Sequence, residues 1–373
     1  MCHLIYTDTF YMKRKWIRWV SWILLTPIIL FVILMVLLYV PPVQNLLRRE
    51  VTAYASKATG MQIQVERIDL RFPLNLLVRG VEVIQQPDTL LSLESLNVRV
   101  QAWPLIKGKV EVDEVTLSRV AVNSADLMEG MNIKGVLGRF FLQSHGVDLS
   151  NELAVINQVE LSDTHVQLLM NDTTTTPKDT TASAPINWKV ALHQLKLKNV
   201  SFSMQLPADS MRMTAHIGEA AINDAQADLK NQYYDLKKFL LLGTSASYDT
   251  GTAQPTEGFD ASHIAVRDIR IALDSLLYKG RDMNAVIREF TMNERSGLSV
   301  TALTGRAYSN DSVICVPSLK LNTPHSEIDL SAHTYWELVN IPTTGRLSAR
   351  LNAYIGKEDV MLFAGGLPES FKE

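Results

Sequence analysis

The stretch from Val110 to Val122, VEVDEVTLSRVAV, decides the fold, because its apolar side chains alternate with polar ones and change phase twice. Its apolar members are Val110, Val112, Val115, Leu117, Val120 and Val122. Period-two alternation turns one face of a strand toward apolar material, and a bulge residue keeps that face pointing the same way past each phase change. The pattern predicts a long sheet with one continuously apolar face. The second phase change also fits a tight turn between two strands.

The same spacing returns twice in full. The copies over 154–166 and 190–202 have the apolar members Ala154, Ile156, Val159, Leu161, Thr164 and Val166, then Val190, Leu192, Leu195, Leu197, Val200 and Phe202. Fragments of it recur over 61–70, 91–100 and 264–273. A strand unit repeated along most of a chain predicts an elongated array. A β-sandwich, whose strands also alternate and recur, is the alternative.

A membrane anchor is predicted over residues 19–40. These 22 positions hold no charged residue, and as a helix they would rise about 33 Å, enough to cross a hydrocarbon core. A basic flank precedes them and predicts a cytoplasmic segment 1–18, with the bulk of the chain across the membrane: Lys13, Arg14, Lys15 and Arg18. Pro41-Pro42 follows instead of a small-x-small cleavage site, which favours an uncleaved anchor over a signal peptide. Met12 is a candidate start, which would make residues 1–11 a start-site artefact.

Residues 41–60 are predicted to form an amphipathic helix, opened by Pro41-Pro42 and closed by Gly60. One face is apolar, with Val43, Leu46, Leu47, Val51, Tyr54, Ala55 and Ala58. The other is polar, with Gln44, Arg48, Arg49, Thr52 and Lys57. Two placements are open: the helix lies on the outer leaflet of the membrane, or its apolar face caps the first strand of the sheet.

Composition and motifs favour a protein that is not an enzyme and that needs no cofactor. A net charge of −3 gives no basic field for nucleic acid. The eight histidines show no metal-ligand spacing, and phosphate-loop, dinucleotide and nucleophile-elbow motifs are missing from the sequence. The Thr-rich stretch 172–185, DTTTTPKDTTASAP, is predicted to be a loop inserted between strands, because the strand pattern resumes after it.

Several segments resemble the N-terminal region of the AsmA-like superfamily, in particular its TamB-like (translocation and assembly module subunit) members from Bacteroides-type bacteria. They are the anchor, the helix ending in Thr59-Gly60, MQIQVERIDL (61–70), VRGVEVI (78–84), DTLLSLESLNVRVQAWPLIKGKVEVDEVTLSRVAV (88–122) and EGMNIKGVLGRFF (129–141). The likeness covers nearly all of 12–373, and its most specific part is 91–122.

The resemblance implies that 61–373 form a repeating β-groove, a taco-shaped sheet with an apolar inner face, hung from the inner membrane into the periplasm. It implies cell-envelope biogenesis: movement of phospholipid between inner and outer membrane, assembly of outer-membrane proteins with an Omp85-type barrel partner, or both. TamB-like proteins are far longer, so this chain is expected to be truncated at its C-terminus, without the region that meets the barrel.

Two functions follow from whether the apolar face is open or closed. An open groove favours a lipid conduit, lined by Val112, Val115, Leu117, Val159, Leu161, Leu195, Leu197 and Val200. A closed core favours a membrane-tethered β-sandwich scaffold that binds protein partners along its strand edges.

The Thr-rich stretch carries a candidate modification site. Asp172-Thr173-Thr174 and Asp179-Thr180-Thr181 resemble the acceptor of the general O-glycosylation system of Bacteroides-type bacteria, which implies Thr173 and Thr180 as glycosylated residues. An unmodified loop is the alternative.

Overall fold

A computed structural model describes residues 36, 39–72, 74–101, 104, 111–124, 130–148, 151–171, 187–340 and 345–363. The protein is mainly β, and its described strands form one open sheet. Among the described residues, the helices are α1 (Pro41–Thr59), α2 (Trp336–Asn340) and α3 (Lys357–Leu362), with a 3-10 turn at Pro207–Asp209. The single sheet contradicts the β-sandwich alternative.

The sheet has sixteen strands, which pair in chain order except that β12 pairs only with β11. They are β1 (Gln62–Arg71), β2 (Asn75–Gln85), β3 (Asp88–Val100), β4 (Val112–Asn123), β5 (Met131–Asp148), β6 (Leu153–Met170), β7 (Lys189–Leu206), β8 (Met211–Asp228), β9 (Tyr233–Asp249), β10 (His263–Lys279), β11 (Asp282–Glu294), β12 (Ser299–Val300), β13 (Ala302–Ser309), β14 (Val313–Asn322), β15 (Glu327–Tyr335) and β16 (Leu347–Tyr354). Neighbouring strands are antiparallel except β6 and β7, which are parallel.

The parallel pair explains the two full copies of the sequence pattern that follow 110–122. Ala154 lies opposite Val190, Leu161 opposite Leu197, and the register continues to the end of both copies. Two parallel neighbours with identical spacing place like residues side by side without any shift. The antiparallel alternation is therefore interrupted between β6 and β7. The segment between these strands contains the Thr-rich stretch 172–185, whose residues lie outside the described ones.

The phase changes are bulges, and the tight-turn alternative is wrong. β4 runs without a break through the second phase change, where Arg119 has a φ of 46°. The equivalent residues of the two copies, Asp163 and Asn199, have φ of 51° and 53°. Asp and Asn tolerate this left-handed conformation better than most residues, because their short side chains bond to the local backbone.

These bulges align across neighbouring strands. In one set of skipped positions, which we call the bulge row, the ladders pass over one residue on each of β1–β8, and these residues stand opposite one another: Glu66, Gly80, Glu94, Arg119, Gly138, Asp163, Asn199 and Gly218. Because neighbouring strands leave facing residues out of the ladder, the pairing on either side of the bulge row keeps its register, and the apolar side chains stay on one face.

The edge strand β1 is covered by α1. As the sequence predicts, this helix begins at Pro41 and is closed by Gly60, which has a φ of 70°. It contacts β1 through the predicted polar face, where Gln44, Arg48 and Thr52 are half-buried, whereas Leu46, Val51 and other members of the apolar face are exposed. The prediction that the apolar face would cap the sheet is therefore wrong. An edge strand offers backbone N–H and C=O groups, which polar side chains satisfy and apolar ones do not.

Helix α3, which follows β16 in the chain, packs against the β9–β10 connection. The N–H of Phe259 donates to the carbonyl of Leu362 over 2.8 Å, and the rings of Phe259 and Phe363 lie 5.3 Å apart. Asp359 fastens α3 to the β14–β15 turn by accepting hydrogen bonds from the hydroxyls of Thr323 and Ser326. These two hydroxyls lower the pKa of Asp359.

Several predictions fall wholly or almost wholly outside the described residues: the cytoplasmic segment 1–18, the anchor 19–40, the loop 172–185 and the C-terminal end. Among the residues that the structure does describe, none belongs to a helix long and apolar enough to cross a membrane.

Candidate functional site: the apolar face of the sheet

One row of residues follows the apolar face across fifteen strands. The ladders pair its members one after another from β1 to β16, leaving out only β12: Leu70, Leu76, Val98, Val115, Leu142, Val159, Leu195, Ile222, Phe239, Leu273, Ile287, Gly305, Leu319, Leu330 and Leu351. We call this the long row. At about 4.8 Å between strands it extends about 70 Å, and every member except Gly305 is apolar.

A second row runs beside the long row from β1 to β11. Its members are Ile68, Val78, Leu96, Leu117, Phe140, Leu161, Leu197, Ala220, Leu241, Ile271 and Phe290. A third row lies on the other side of the second, across β1–β8, with Val65, Val81, Leu93, Val120, Leu137, Thr164, Val200 and Ile217. The three rows form a continuous apolar surface several side chains wide.

The eight residues predicted to line the groove all lie on this surface. Val115, Val159 and Leu195 belong to the long row, Leu117, Leu161 and Leu197 to the second row, and Val200 to the third. Val112, on β4, pairs with Val100 of β3 at the border of the surface. Their strands are β4, β6 and β7, with β5 between the first two.

Sequence reasoning missed the residues that β5, β8 and β9 add to the same rows. Phe140 and Leu142 of β5 fill the space between β4 and β6. Three glycines lie in β5, and β8 contributes small alanines such as Ala220, so neither strand repeats the spacing of β4 clearly. The sequence signal that could have identified β5 as a strand was the run of three large apolar residues, Phe140, Phe141 and Leu142.

The apolar surface is open. All eight predicted lining residues are half-buried. The buried apolar residues of the described chain are few and scattered over the sheet: Leu90, Ala154, Leu206, Ala220, Ala272 and Val300. A closed core would bury the large side chains of these rows almost completely. Half-burial is the expected state of an apolar side chain that touches only its neighbours in one sheet.

Thr164 and Thr244 are polar exceptions on the apolar face, and both are buried. Each hydroxyl donates to the carbonyl two residues earlier in its own strand, Thr164 to Ser162 over 3.2 Å and Thr244 to Leu242 over 3.4 Å. Because each hydroxyl has a partner, neither leaves an unsatisfied polar group on the apolar face.

The opposite face of the sheet is polar, and several of its charged side chains have polar partners. Asn199 donates to Asp163 over 2.7 Å within the bulge row, and Arg119 pairs with Glu94 in the same row. His193 and Asp224 lie 3.2 Å apart. These contacts are on the solvated side, which explains the carboxylates and histidines of the strand repeats as surface residues.

The polar face also holds a shallow depression of about 590 Å³ between β9 and β13. Three of its charged groups have partners: Lys237 donates to Asp235 over 2.7 Å, and Arg306 donates to Asn284 over 3.2 Å. The hydrogen bond from Lys237 to the Asp235 carboxylate raises the pKa of Lys237. Within the described residues, no group of three or more His, Cys, Asp or Glu side chains is arranged to hold a metal ion.

No protein-family model matches this chain, and no curated protein matches it. The candidate site therefore rests on the geometry of the sheet: an apolar surface about 70 Å long, one side chain per strand in each row, backed by a solvated polar face.

Proposed function

We propose that the apolar face is a path for the acyl chains of phospholipid, in a protein that serves cell-envelope biogenesis from the inner membrane. The observation that carries this proposal is the long row, an apolar line across fifteen strands that is not closed into a core. The resemblance to the AsmA-like superfamily and its TamB-like members supports it, as does the apolar segment 19–40, which would anchor the chain with its bulk in the periplasm.

The physical basis is the cost of exposing an acyl chain to water, about 0.8 kcal/mol for each CH₂ group. A continuous apolar surface lowers that cost at every point along the path, so no step requires full exposure. Neighbouring residues of a row stand about 4.8 Å apart, close enough that a chain leaving one side chain already contacts the next. No residue has to react, and the function needs no cofactor.

The test uses two triple variants that carry the same charges on opposite faces. Leu117→Asp, Leu161→Asp and Leu195→Asp place three carboxylates on the apolar face. Their controls, Thr116→Asp, Ser162→Asp and Gln194→Asp, place three carboxylates on the polar face of the same strands. A photoreactive residue at Phe140 reports lipid crosslinking in cells.

We expect lipid crosslinking to be lost in the apolar-face variant and kept in the control, with the β signal in circular dichroism unchanged in both. A charge on an open surface stays hydrated, so the fold persists, whereas a charge forced into a closed core would unfold the protein. Equal crosslinking in the two variants, or unfolding of the apolar-face variant, would contradict the conduit.

A second candidate function is strand-edge binding of protein partners, which the edge strand β16 favours. All eight of its residues are exposed, with Leu347, Leu351 and Tyr354 at 60%, 64% and 70%, and among the described strands it pairs only with β15. A free edge with this composition accepts an added strand. Photocrosslinking from Arg350 to proteins instead of lipid would favour this function.

A further inference from the structure

Helix α1 binds the sheet with its polar side. The Gln44 side-chain amide donates to the carbonyl of Leu70 over 3.0 Å, and the Arg48 guanidinium donates to the carbonyl of Glu66 over 3.0 Å. In the other direction, the N–H of Ile63 donates to the hydroxyl of Ser56 over 3.1 Å. These three contacts are spread along the helix and occupy backbone groups of the edge strand, so this side of α1 is committed to β1.

The large apolar residues from Leu46 to Tyr54 are consequently left exposed, whereas Val43 and Ala55 are half-buried. Leu47, Val51 and Tyr54 follow one another at helical spacing and are 40%, 52% and 77% exposed, and Leu46 beside them is 58% exposed. We call Leu47, Val51 and Tyr54 the outer stripe. A row of large apolar side chains left in water on a helix that is otherwise well anchored indicates a surface that another apolar phase covers.

The surroundings of the outer stripe point to lipid. Helix α1 begins at Pro41, directly after the apolar segment 19–40. At the same end of the helix, the rings of Tyr39 and Phe72 lie 6.4 Å apart, and Phe72, next to the β1–β2 turn, is 84% exposed. Aromatic side chains concentrate at the boundary between headgroups and acyl chains. With Arg48, Arg49 and Lys57 against Glu50, α1 carries a net positive charge, which suits anionic headgroups.

We propose that α1 lies on the periplasmic surface of the membrane, with the outer stripe at the boundary of the acyl chains and β1 held on its other side. This inference rests on the proposed function for the identity of the membrane, and it adds the place of lipid entry. Because β1 carries the first members of the apolar rows, Leu70 and Ile68, the rows begin where α1 meets lipid.

The experiment measures the depth of α1 in the full-length protein. In a Cys2→Ser, Cys315→Ser background, single cysteines carrying a nitroxide label replace Leu47, Val51 or Tyr54 in three variants. Two matched controls carry the label at Arg49 or Ala53, which are exposed residues of the same helix outside the stripe. Each protein is reconstituted in vesicles of phosphatidylethanolamine and phosphatidylglycerol, and power saturation compares collisions with oxygen and with a water-soluble nickel chelate.

We expect labels on the outer stripe to collide mainly with oxygen and the two control labels mainly with the chelate, with a several-fold difference in the ratio. Equal chelate access at all five positions would overturn the inference. Failure here is distinct from failure of the conduit: stripe labels in water together with lipid crosslinking at Phe140 would reject only the placement of α1, whereas lipid-facing labels without crosslinking would reject only the conduit.

Discussion

Replacing Gly138 by Ala tests the bulge row, because the neighbouring strand leaves no room for a side chain there. A Cβ at this position would lie 2.7 Å from the Cβ of Asp163 and 2.9 Å and 3.1 Å from the carbonyl oxygens of Asp163 and Ser162, where ordinary contacts begin at 3.4 Å. Two of these three atoms are backbone, so no side-chain rotation relieves the clash. The strands β5 and β6 must separate locally, and overpacking of this kind costs about 1–3 kcal/mol.

Gly135, three residues earlier in β5, provides the matched control. A Cβ there would meet its nearest atom, the carbonyl oxygen of His165, at 3.4 Å. Gly135→Ala should therefore be neutral, or stabilising by up to about 1 kcal/mol through the lower entropy of the unfolded chain. Urea unfolding followed by circular dichroism, with hydrogen exchange of β5 and β6, measures both variants. Equal stability of the two would refute the close approach of the strands in the bulge row.

Three further predictions concern other parts of the chain. The carboxylate of Asp260 accepts hydrogen bonds from the N–H groups of Thr256 and Ser262 and contacts His263, which lowers its pKa. The ionised carboxylate of Asp260 thus stabilises the folded state at neutral pH, and this contribution to the free energy of unfolding is lost as the pH falls below about 4. Asp260→Asn should lower the thermal midpoint at pH 7, with a difference from the wild type that shrinks at pH 3; a constant difference would count against the carboxylate. In spheroplasts, protease should digest the chain beyond Gly60 while the inner membrane is intact; digestion only after lysis would reverse the orientation. Intact mass from the native host should exceed the sequence mass by whole glycans and fall when Thr173 and Thr180 become Ala, whereas an unchanged sequence mass would end that hypothesis.

The sequence predicted the apolar face because alternation is a local property of each strand. In β4, side chains two apart point the same way, and the two phase changes of the pattern mark the places where a bulge restores the alternation. The same local logic predicted the start and end of α1 from Pro41 and Gly60. It did not predict β5 or β8, because glycine and alanine weaken the contrast on which the pattern depends.

Which strands become neighbours was decided by the tertiary structure. The antiparallel order from β1 to β6, the parallel pairing of β6 with β7 and the alignment of the bulge row depend on contacts between residues far apart in sequence. The glycines of the row show this dependence clearly: Gly138 is required by the approach of Asp163, 25 positions along the chain, and nothing in the local sequence of β5 shows it.

The amphipathic pattern of α1 was itself determined by the sequence, but its orientation was not. A pattern indicates two faces and not which neighbour each will meet. An apolar sheet surface would have attracted Leu47 and Val51, whereas the edge of β1 presents hydrogen-bonding backbone groups and so attracts Gln44, Arg48 and Ser56. The chain encodes one apolar face on its strands and another on its first helix, and only the folded arrangement leaves both of them open.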